Sequence, residues 1–430
     1  MAFEKVLYRN LHLERLYDMD VYLSSDGYHG LAAALERKPD EVIEEVKASG
    51  LRGRGGAGFP TGVKWGFLPK VTDKPKYLCV NADEGEPGTF KDRELMEKDP
   101  HSLLEGMIIA GYALGVHKAF LYIRGEYHLA IERCQKAIDQ LYARGYLGSN
   151  VCGKGFALDI IIHKGAGAYI CGEETALINS IEGKRGEPRL KPPFPATSGL
   201  WACPTVVNNV ETLCAVPWIL AYGAKRYREF GTEKSPGTKI FSVSGCVSKP
   251  GNYELPLGTP FKVLLEDYCG GVWKGKKLKG VIPGGSSVPL LSAAECEDLN
   301  LDYESVQARG SLLGCGAVIV YDEDVCVVEA SLRLAEFYAH ESCGQCAPCR
   351  EGTHWLAQIL ERIEHGQGRP EDLPAIEALL PHMKGMTICV LADSAAAVVE
   401  STLKKFRNEY EAHIKHKGCP HKKEKVFAYA

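Results

Sequence analysis

No segment of this chain is long and apolar enough to cross a bilayer. The most apolar helical stretch, 106–121, is broken by His117 and Lys118 and falls short of the roughly 20 residues that a span requires. The start, Met1-Ala-Phe-Glu-Lys5, carries no apolar run of signal-peptide type. The expectation is therefore a cytoplasmic protein that meets a membrane only through partners. A long basic stripe is also missing, and the net charge is -4; nucleic acid is not an expected partner. No internal repeat stands out, and no Ser-His-Asp or paired-acid constellation is visible.

What is present is an ordinary globular composition, 45% apolar and 25% charged over 430 residues, enough for two to four domains with substantial cores. Of 16 cysteines, twelve are scattered singly through apolar segments, as at Cys171, Cys246 and Cys326. Reduced cytosolic cysteines behave this way, as small buried hydrophobes. The other four carry chemistry. Cys343-Gly-Gln-Cys346-Ala-Pro-Cys349 lets three thiolates converge on one small inorganic body. Zinc ribbons usually pair one C-x2-C with a distant second pair. A tight triplet with one remote thiolate fits a [4Fe-4S] cluster, whose irons need four thiolate ligands. The ferredoxin spacing would place the fourth Cys at 353, which is Thr353. Cys389, in Met386-Thr-Ile-Cys-Val390, is the candidate fourth ligand; free thiols or a zinc site is the bland alternative.

Residues 1–50 read as a lead-in with two short helices, one over 41–48. Then 51–65, Leu-Arg-Gly-Arg-Gly-Gly-Ala-Gly-Phe-Pro-Thr-Gly-Val-Lys-Trp, packs four glycines into six positions. That density frees the backbone to approach a flat or anionic ligand. Arg52, Arg54 and Lys64 add positive charge, and Phe59, Trp65 and Phe67 offer faces for an aromatic base. No G-K-[ST] closes the loop, so it is not a Walker A loop; a flexible surface turn is its other reading. Tyr77-Leu-Cys-Val80 is a short buried strand that ends in Asn81-Ala-Asp83-Glu84-Gly-Glu86. Polar residues just past such a strand are where open α/β sheets bind ligands. Glu86 would grip ribose hydroxyls and repel a 2′-phosphate, unless the segment is only a solvated acidic turn.

Alternation then predicts helices over 101–114 and 127–144 and strands over 119–123 and 157–163, a parallel α/β pattern. At 165–179 a glycine turn leads from strand to helix, with Glu173 and Glu174 at the helix start. These carboxylates suit the helix dipole but would repel phosphate, which points them at sugar or ring atoms. Residues 184–204 read as a long loop of nucleotide-lid type around Lys191-Pro-Pro-Phe194. Asn208 and Asn209 precede a further helix, as ligand contacts or as its cap. Beyond a boundary near 231–237 a small ββαβ module is expected, with strands over 239–245, 251–255 and 279–282 and a helix from Thr259-Pro260 to about 268. From about 330 the pattern is helical, with helices over 372–380 and 395–410. The basic tail, 413–425, with His416 and His421, reads as a solvated or partner-facing end rather than a metal site.

Together these motifs resemble the flavin- and NADH-binding subunits of respiratory complex I, the NADH:quinone oxidoreductase, over roughly residues 45–412. The carriers are Gly53-Arg-Gly-Gly-Ala-Gly-Phe-Pro-Thr-Gly62, Asn81-Ala-Asp-Glu-Gly-Glu86, Gly165-Ala-Gly-Ala-Tyr-Ile-Cys-Gly-Glu-Glu174, Lys191-Pro-Pro-Phe194, Val207-Asn-Asn-Val-Glu-Thr212 and Glu341-Ser-Cys-Gly-Gln-Cys-Ala-Pro-Cys349. The resemblance implies an α/β chain with a Rossmann-like FMN- and NADH-binding domain (51–232), a β-grasp domain (233–325) and a helical bundle with a [4Fe-4S] cluster (326–430). It implies FMN contacts at Gly53, Gly55, Lys64, Asn81, Asp83, Tyr169, Gly172, Glu173, Asn208, Asn209 and Thr212. NADH contacts fall at Gly55, Gly56, Phe59, Lys64, Phe67, Glu86, Glu174, Lys191 and Phe194, and cluster ligands at Cys343, Cys346, Cys349 and Cys389. The implied activity is hydride transfer from NADH to FMN, then single-electron transfer to the cluster, which needs no general base. Implied partners are a small thioredoxin-like [2Fe-2S] subunit and a larger iron–sulfur subunit of the peripheral arm, at the inner face of the cytoplasmic membrane. Diaphorase subunits of soluble NAD-linked hydrogenases and formate dehydrogenases share this core. They usually carry extra iron–sulfur modules, and no second C-x2-C-x2-C run occurs here.

Overall fold

The computed structural model describes residues 3–420. Four strands, Tyr77–Ala82 (β1), Lys118–Ile123 (β2), Asp159–Lys164 (β3) and Thr205–Asn209 (β4), form an all-parallel sheet in the order β3-β2-β1-β4. Leu78, Val80, Leu121 and Ile123 are fully buried, the mark of a sheet covered on both faces. The chain winds outward from β1 to β3 and then returns to lay β4 on the opposite flank of β1. A crevice therefore opens at the carboxyl ends where the winding reverses. Register sets Asn81 level with Asn209 there. Helices Pro100–Leu114 and Val210–Tyr222 bury almost every residue against this sheet. Their close approach depends on Gly106, where a Cβ would sit 2.1 Å from the Leu213 carbonyl oxygen.

The second sheet holds Thr238–Gly245 (β5), Gly251–Pro256 (β6), Leu278–Ile282 (β7), Leu291–Ser292 (β8) and Ala317–Asp322 (β9), in the order β6-β5-β9-β7-β8. The ββαβ expectation is thus two strands short. The missed β9 is the centre of the sheet, parallel to β5 and antiparallel to β7. Its run Ala317-Val-Ile-Val-Tyr321 was the available signal. The helix between β6 and β7 starts one residue later than expected, at Phe261, and its second half, Leu264–Tyr268, is wound as a π-helix.

Five helices complete the described chain: Val327–Glu341, Ala347–Glu364, Asp372–Met383, Leu391–Lys405 and Arg407–His416. They share a core containing Leu332, Leu356, Leu360, Ile376, Val399 and Leu403. The single helix expected over 395–410 is in fact two, broken at Phe406 (φ -128°). No Gly or Pro marks the break. Phe406 turns instead to pack on the cluster of Ile282, Val288 and Leu290 at the end of β7 and the loop after it, so tertiary packing overrides helix propensity.

The first fifty residues hold three short helices rather than two and are stitched to the second sheet and to helix Pro100–Leu114 on the first. The Val6, Leu7 and Tyr8 amides donate to the Glu254 carboxylate of β6 at 2.7–2.9 Å. The Tyr28 and Leu31 amides donate to Glu105. Among the described residues no helix is long and apolar enough to cross a membrane.

Candidate functional site

The glycine loop folds back on itself: the Gly53 N–H donates to the Phe59 carbonyl at 2.8 Å and the Thr61 N–H to the Leu51 carbonyl at 2.8 Å. Gly58 has φ +63°, and a Cβ there would meet the Tyr303 ring at 2.6 Å, so sterics demand glycine. At Gly55 a Cβ would stand 3.0 Å from Cβ of Asn209. Glycine thus lets the loop lie against the carboxyl end of β4. The Arg54 N–H donates to Thr212 Oγ1 at 2.8 Å, which ties the loop to the first turn of helix Val210–Tyr222.

Around this loop the structure gathers most of the expected contacts. Asn81 donates to the Gly172 carbonyl at 2.8 Å and accepts from the Asp83 N–H. Asn208 accepts from Trp65 Nε1 at 2.8 Å. Asn209 donates to Asp92 and caps helix Val210–Tyr222 through the Thr212 N–H. Glu173 caps helix Glu174–Ile181. Lys191 reaches Glu173 at 2.9 Å and Glu174 at 3.0 Å, and Lys64 reaches Glu174 at 3.1 Å. Burial alone would raise Glu174, but Lys64 and Lys191 hold it below the usual carboxylate range. Glu86 accepts from Tyr169 Oη at 2.7 Å, from the Ser287 N–H at 2.6 Å and from Ser286 Oγ at 3.2 Å, so the second sheet's domain helps to hold it. Phe59 and Phe67 are 46% and 58% exposed, with ring centroids 5.9 Å apart. Phe194 is 58% exposed; among the described residues its ring pairs with neither.

Two expectations about this loop need correction. Trp65 is 1% exposed and is a core residue whose indole N–H orients Asn208, so it offers no face to a base. Arg54 is buried and donates to Tyr227 Oη and to the Pro236 and Thr238 carbonyls, while Arg52 stacks over Tyr303 at 3.9 Å. Of the three flanking cations only Lys64 faces the acidic pair at 173–174.

The cysteine triplet begins just beyond helix Val327–Glu341, with Cys346 flanking the start of helix Ala347–Glu364. The Ile388 N–H donates to Cys346 Sγ at 3.4 Å, which brings the Cys389 turn onto the triplet. The Cys389 thiol is pushed up to about 11, first by burial and then by Cys349, Cys343 and Glu173. Burial and then Cys343 and Cys346 likewise raise Cys349. All sixteen cysteines are free, and these four thiols meet in largely apolar surroundings, a donor set that suits an iron–sulfur cubane. Of the twelve scattered cysteines, eight are buried; Cys246 and Cys326 are only half-buried.

The two sites share a wall. A small crevice, open to solvent, is lined by Asp83, Gly85, Arg124, Gly167, Ala168, Tyr169, Phe337 and Glu341. The Tyr169 N–H donates to Glu341 at 2.9 Å and its ring packs on Phe337 at 5.1 Å; Arg185 donates to the Cys343 carbonyl at 2.8 Å. Asp83 Oδ2 is buried at the crevice with no hydrogen-bond partner among the described residues. Burial lifts the Asp83 carboxyl to about 7, so near neutrality it is available to bond a polar ring edge. An orphaned acid, amide donors at the sheet end and a glycine cradle fit a bound FMN.

Because Asp83 is raised from its unfolded value of about 3.9, the folded chain binds the extra proton between roughly pH 4 and 7. Its contribution therefore lowers the stability of the cofactor-free chain as pH rises through that window, by up to about 4 kcal/mol at pH 7. Asp83→Asn should flatten the pH dependence of urea unfolding between pH 5 and 7 and stabilise the cofactor-free chain at pH 7. An unchanged slope would show that Asp83 is ionised throughout.

Comparison with known proteins agrees with this geometry. Residues 46–218 match the family described as the Nuo51 FMN-binding domain. Residues 239–320 match the SLBB domain, and 329–413 the NADH-ubiquinone oxidoreductase-F iron-sulfur binding region. One of the NADH-quinone oxidoreductase F subunits of Rhizobium meliloti is 52% identical, covering 97% of this chain and 99% of its own. The corresponding F subunit of Streptomyces coelicolor is 53% identical, covering 96% and 92%. Among solved structures, an NAD+-reducing [NiFe]-hydrogenase chain superposes with a TM-score of 0.82 at 39% identity, over 92% of this chain but only 66% of that one. With about half of its residues shared across nearly its whole length, the chain belongs to the F-subunit family of NADH-quinone oxidoreductases.

Proposed function

We propose that this chain is the subunit at which electrons enter an NADH:quinone oxidoreductase, binding FMN and NADH in the cleft at the sheet ends and a [4Fe-4S] cluster between Cys343, Cys346, Cys349 and Cys389. When bound, FMN takes the hydride of NADH and the cluster accepts electrons one at a time. The observation that carries the reading is the shared wall, in which Tyr169 lines the crevice and bonds Glu341, two residues before Cys343. Asn81, Asp83, Asn208 and Asn209, together with the Gly53–Gly58 loop, seat the flavin. The exposed rings of Phe59 and Phe67 supply a face for the nucleotide, and Phe194 supplies another from the lid segment that carries Lys191. Lys64 and Lys191, already neutralised by Glu173 and Glu174, hold those carboxylates in place to receive sugar or amide groups. Close stacking then orients the nucleotide and excludes water, the main contribution a protein makes to hydride transfer.

The partners proposed are a small thioredoxin-like [2Fe-2S] subunit and a larger iron–sulfur subunit of the peripheral arm, with the membrane reached through that complex. A diaphorase role in a soluble NAD-linked hydrogenase is the second reading, favoured by the structural match. Against it stand the absence of a second C-x2-C-x2-C run and the near-complete coverage of the quinone oxidoreductase relatives. Co-purifying subunits separate the two readings.

Glu86 tests the nucleotide half of the site. Glu86→Gln keeps one acceptor oxygen, enough for either the Ser287 N–H or Tyr169 Oη, and removes the charge that opposes a 2′-phosphate. Preference for NADH over NADPH in ferricyanide reduction should fall about tenfold, the worth of one charge-assisted hydrogen bond, with flavin content unchanged. Loss of flavin instead would reject the assignment.

A further inference from the structure

A second cluster of ligating side chains lies apart from the cysteine triplet, at the other end of the bundle. Cys326 flanks the start of helix Val327–Glu341, His413 lies on helix Arg407–His416, and Cys419 follows three residues after that helix ends. Their ligand atoms all lie within 4.8 Å of one another. Glu364, the last residue of helix Ala347–Glu364, joins them. His413 is fully buried, which corrects the expectation that the chain from 413 onward is a solvated tail; His421 lies outside the described residues. From these side chains we infer a structural zinc site formed by Cys326, His413, Cys419 and Glu364.

The distances among Cys326, His413 and Glu364 match three edges of a tetrahedron, with Cys419 Sγ within 4.8 Å of the Cys326 and His413 ligand atoms. Zinc bonds of about 2.0–2.3 Å imply ligand-to-ligand edges of roughly 3.3–3.8 Å. Cys326 Sγ stands 3.2 Å from His413 Nε2, His413 Nε2 stands 3.3 Å from Glu364 Oε2, and Cys326 Sγ stands 3.9 Å from Glu364 Oε2. The imidazole is oriented for ligation: His413 Nδ1 lies 2.6 Å from the Glu409 carbonyl oxygen. A proton on Nδ1 satisfies that carbonyl and leaves the Nε2 lone pair aimed at the thiols and the carboxylate. Metal-bound histidines are held in this way by their outer nitrogen. Cys326 Sγ also accepts the Glu329 N–H at 3.3 Å, which fixes the side chain toward the cluster.

Two thiolates, an imidazole and a carboxylate select a borderline-soft ion of tetrahedral preference, which zinc is, over the oxygen-seeking magnesium and calcium. Four protein ligands close the coordination sphere, so the role is structural. Cys326 and Cys419 are only half-buried, which leaves the ion a route in. Bound there, it would tie helix Arg407–His416 and the chain through Cys419 to the far end of the helix that starts beside Cys346. That helix has 18 residues, so the ion would sit on the order of 27 Å from the triplet. The two metal sites are therefore separable.

The test is metal analysis of the full chain with its iron–sulfur cluster and flavin in place. We expect about one zinc per chain, with an X-ray absorption edge and fine structure showing two sulfur and two nitrogen or oxygen neighbours. Cys419→Ser, Cys326→Ser and His413→Gln should each lose the zinc while keeping iron and flavin. Cys349→Ser should lose iron while keeping zinc. Should His413→Gln fail to fold, chelation of the wild-type chain gives the same readout, a fall in zinc at constant iron. Zinc well below one per chain, iron in its place, zinc retained in the Cys326 and Cys419 variants, or a Cys326–Cys419 disulfide in the freshly purified chain would each overturn the inference.

Discussion

Cys389→Ser should leave flavin content and NADH-driven ferricyanide reduction close to wild type, while cluster iron and electron delivery to quinone in the assembled complex fall to background. The asymmetry follows from position. Cys389 reaches the triplet from the turn before helix Leu391–Lys405, held there by the Ile388 N–H on Cys346 Sγ. The cradle proposed for the flavin, at Asn81, Asp83 and Asn209, lies at the strand ends of the other domain. A serine hydroxyl is a poor replacement for a thiolate toward iron, and three thiolates alone do not complete a cubane that needs four. Iron analysis and the electron paramagnetic resonance of the reduced protein check this prediction. If Cys389→Ser retained full iron, the fourth ligand would be another residue.

The largest effect on stability is expected at Glu211. It is fully buried between Lys91 at 2.9 Å and Lys239 at 3.1 Å, and it accepts the Ile240 N–H at 2.8 Å. Both ammoniums are buried too. Asp92 neutralises Lys91 as well, at 2.8 Å, whereas among the described residues Lys239 pairs with Glu211 alone. Glu211→Gln removes the charge both ammoniums share, and breaking such a buried pair typically costs about 3–5 kcal/mol. Burial already pulls Lys239 down to about 8, so Lys239 can shed its proton to relieve the strain; that places the loss near the lower end of the range. Because Glu211 starts the helix behind β4 while Lys239 and Ile240 lie on β5, the two sheets should loosen together. The check is urea unfolding: the midpoint should fall at unchanged slope. A loss below about 1 kcal/mol would mean the network is dispensable.

The site was legible where chemistry constrains spacing. Three thiols on one cluster force C-x2-C-x2-C, and a backbone that must lie against Asn209 forces glycine at position 55. The parallel sheet was legible because strands buried on both faces read as continuous apolar runs such as Leu78-Cys-Val80. What escaped depends on long-range packing. Position 65 looks like a stacking ring until β4 brings Asn208 to its indole N–H. Arg54 looks like an anion ligand until the Pro236 and Thr238 carbonyls close over it. The break at Phe406 carries no local mark, since its packing on Ile282, Val288 and Leu290 makes it. Cys326 lies 87 residues before His413 and meets it and Cys419 only once the bundle closes, so no motif announced them.

In the proposed function a flavin crevice and a four-thiol cage share the wall at Tyr169 and Glu341. Anaerobic titration of the purified chain with NADH, followed by flavin absorbance and by electron paramagnetic resonance on the same samples, tests it most directly. Bleaching of the flavin bands and a reduced [4Fe-4S] signal should appear together, the signal absent in Cys389→Ser. Flavin that bleaches fully beside an intact cluster that dithionite reduces but NADH does not would contradict it.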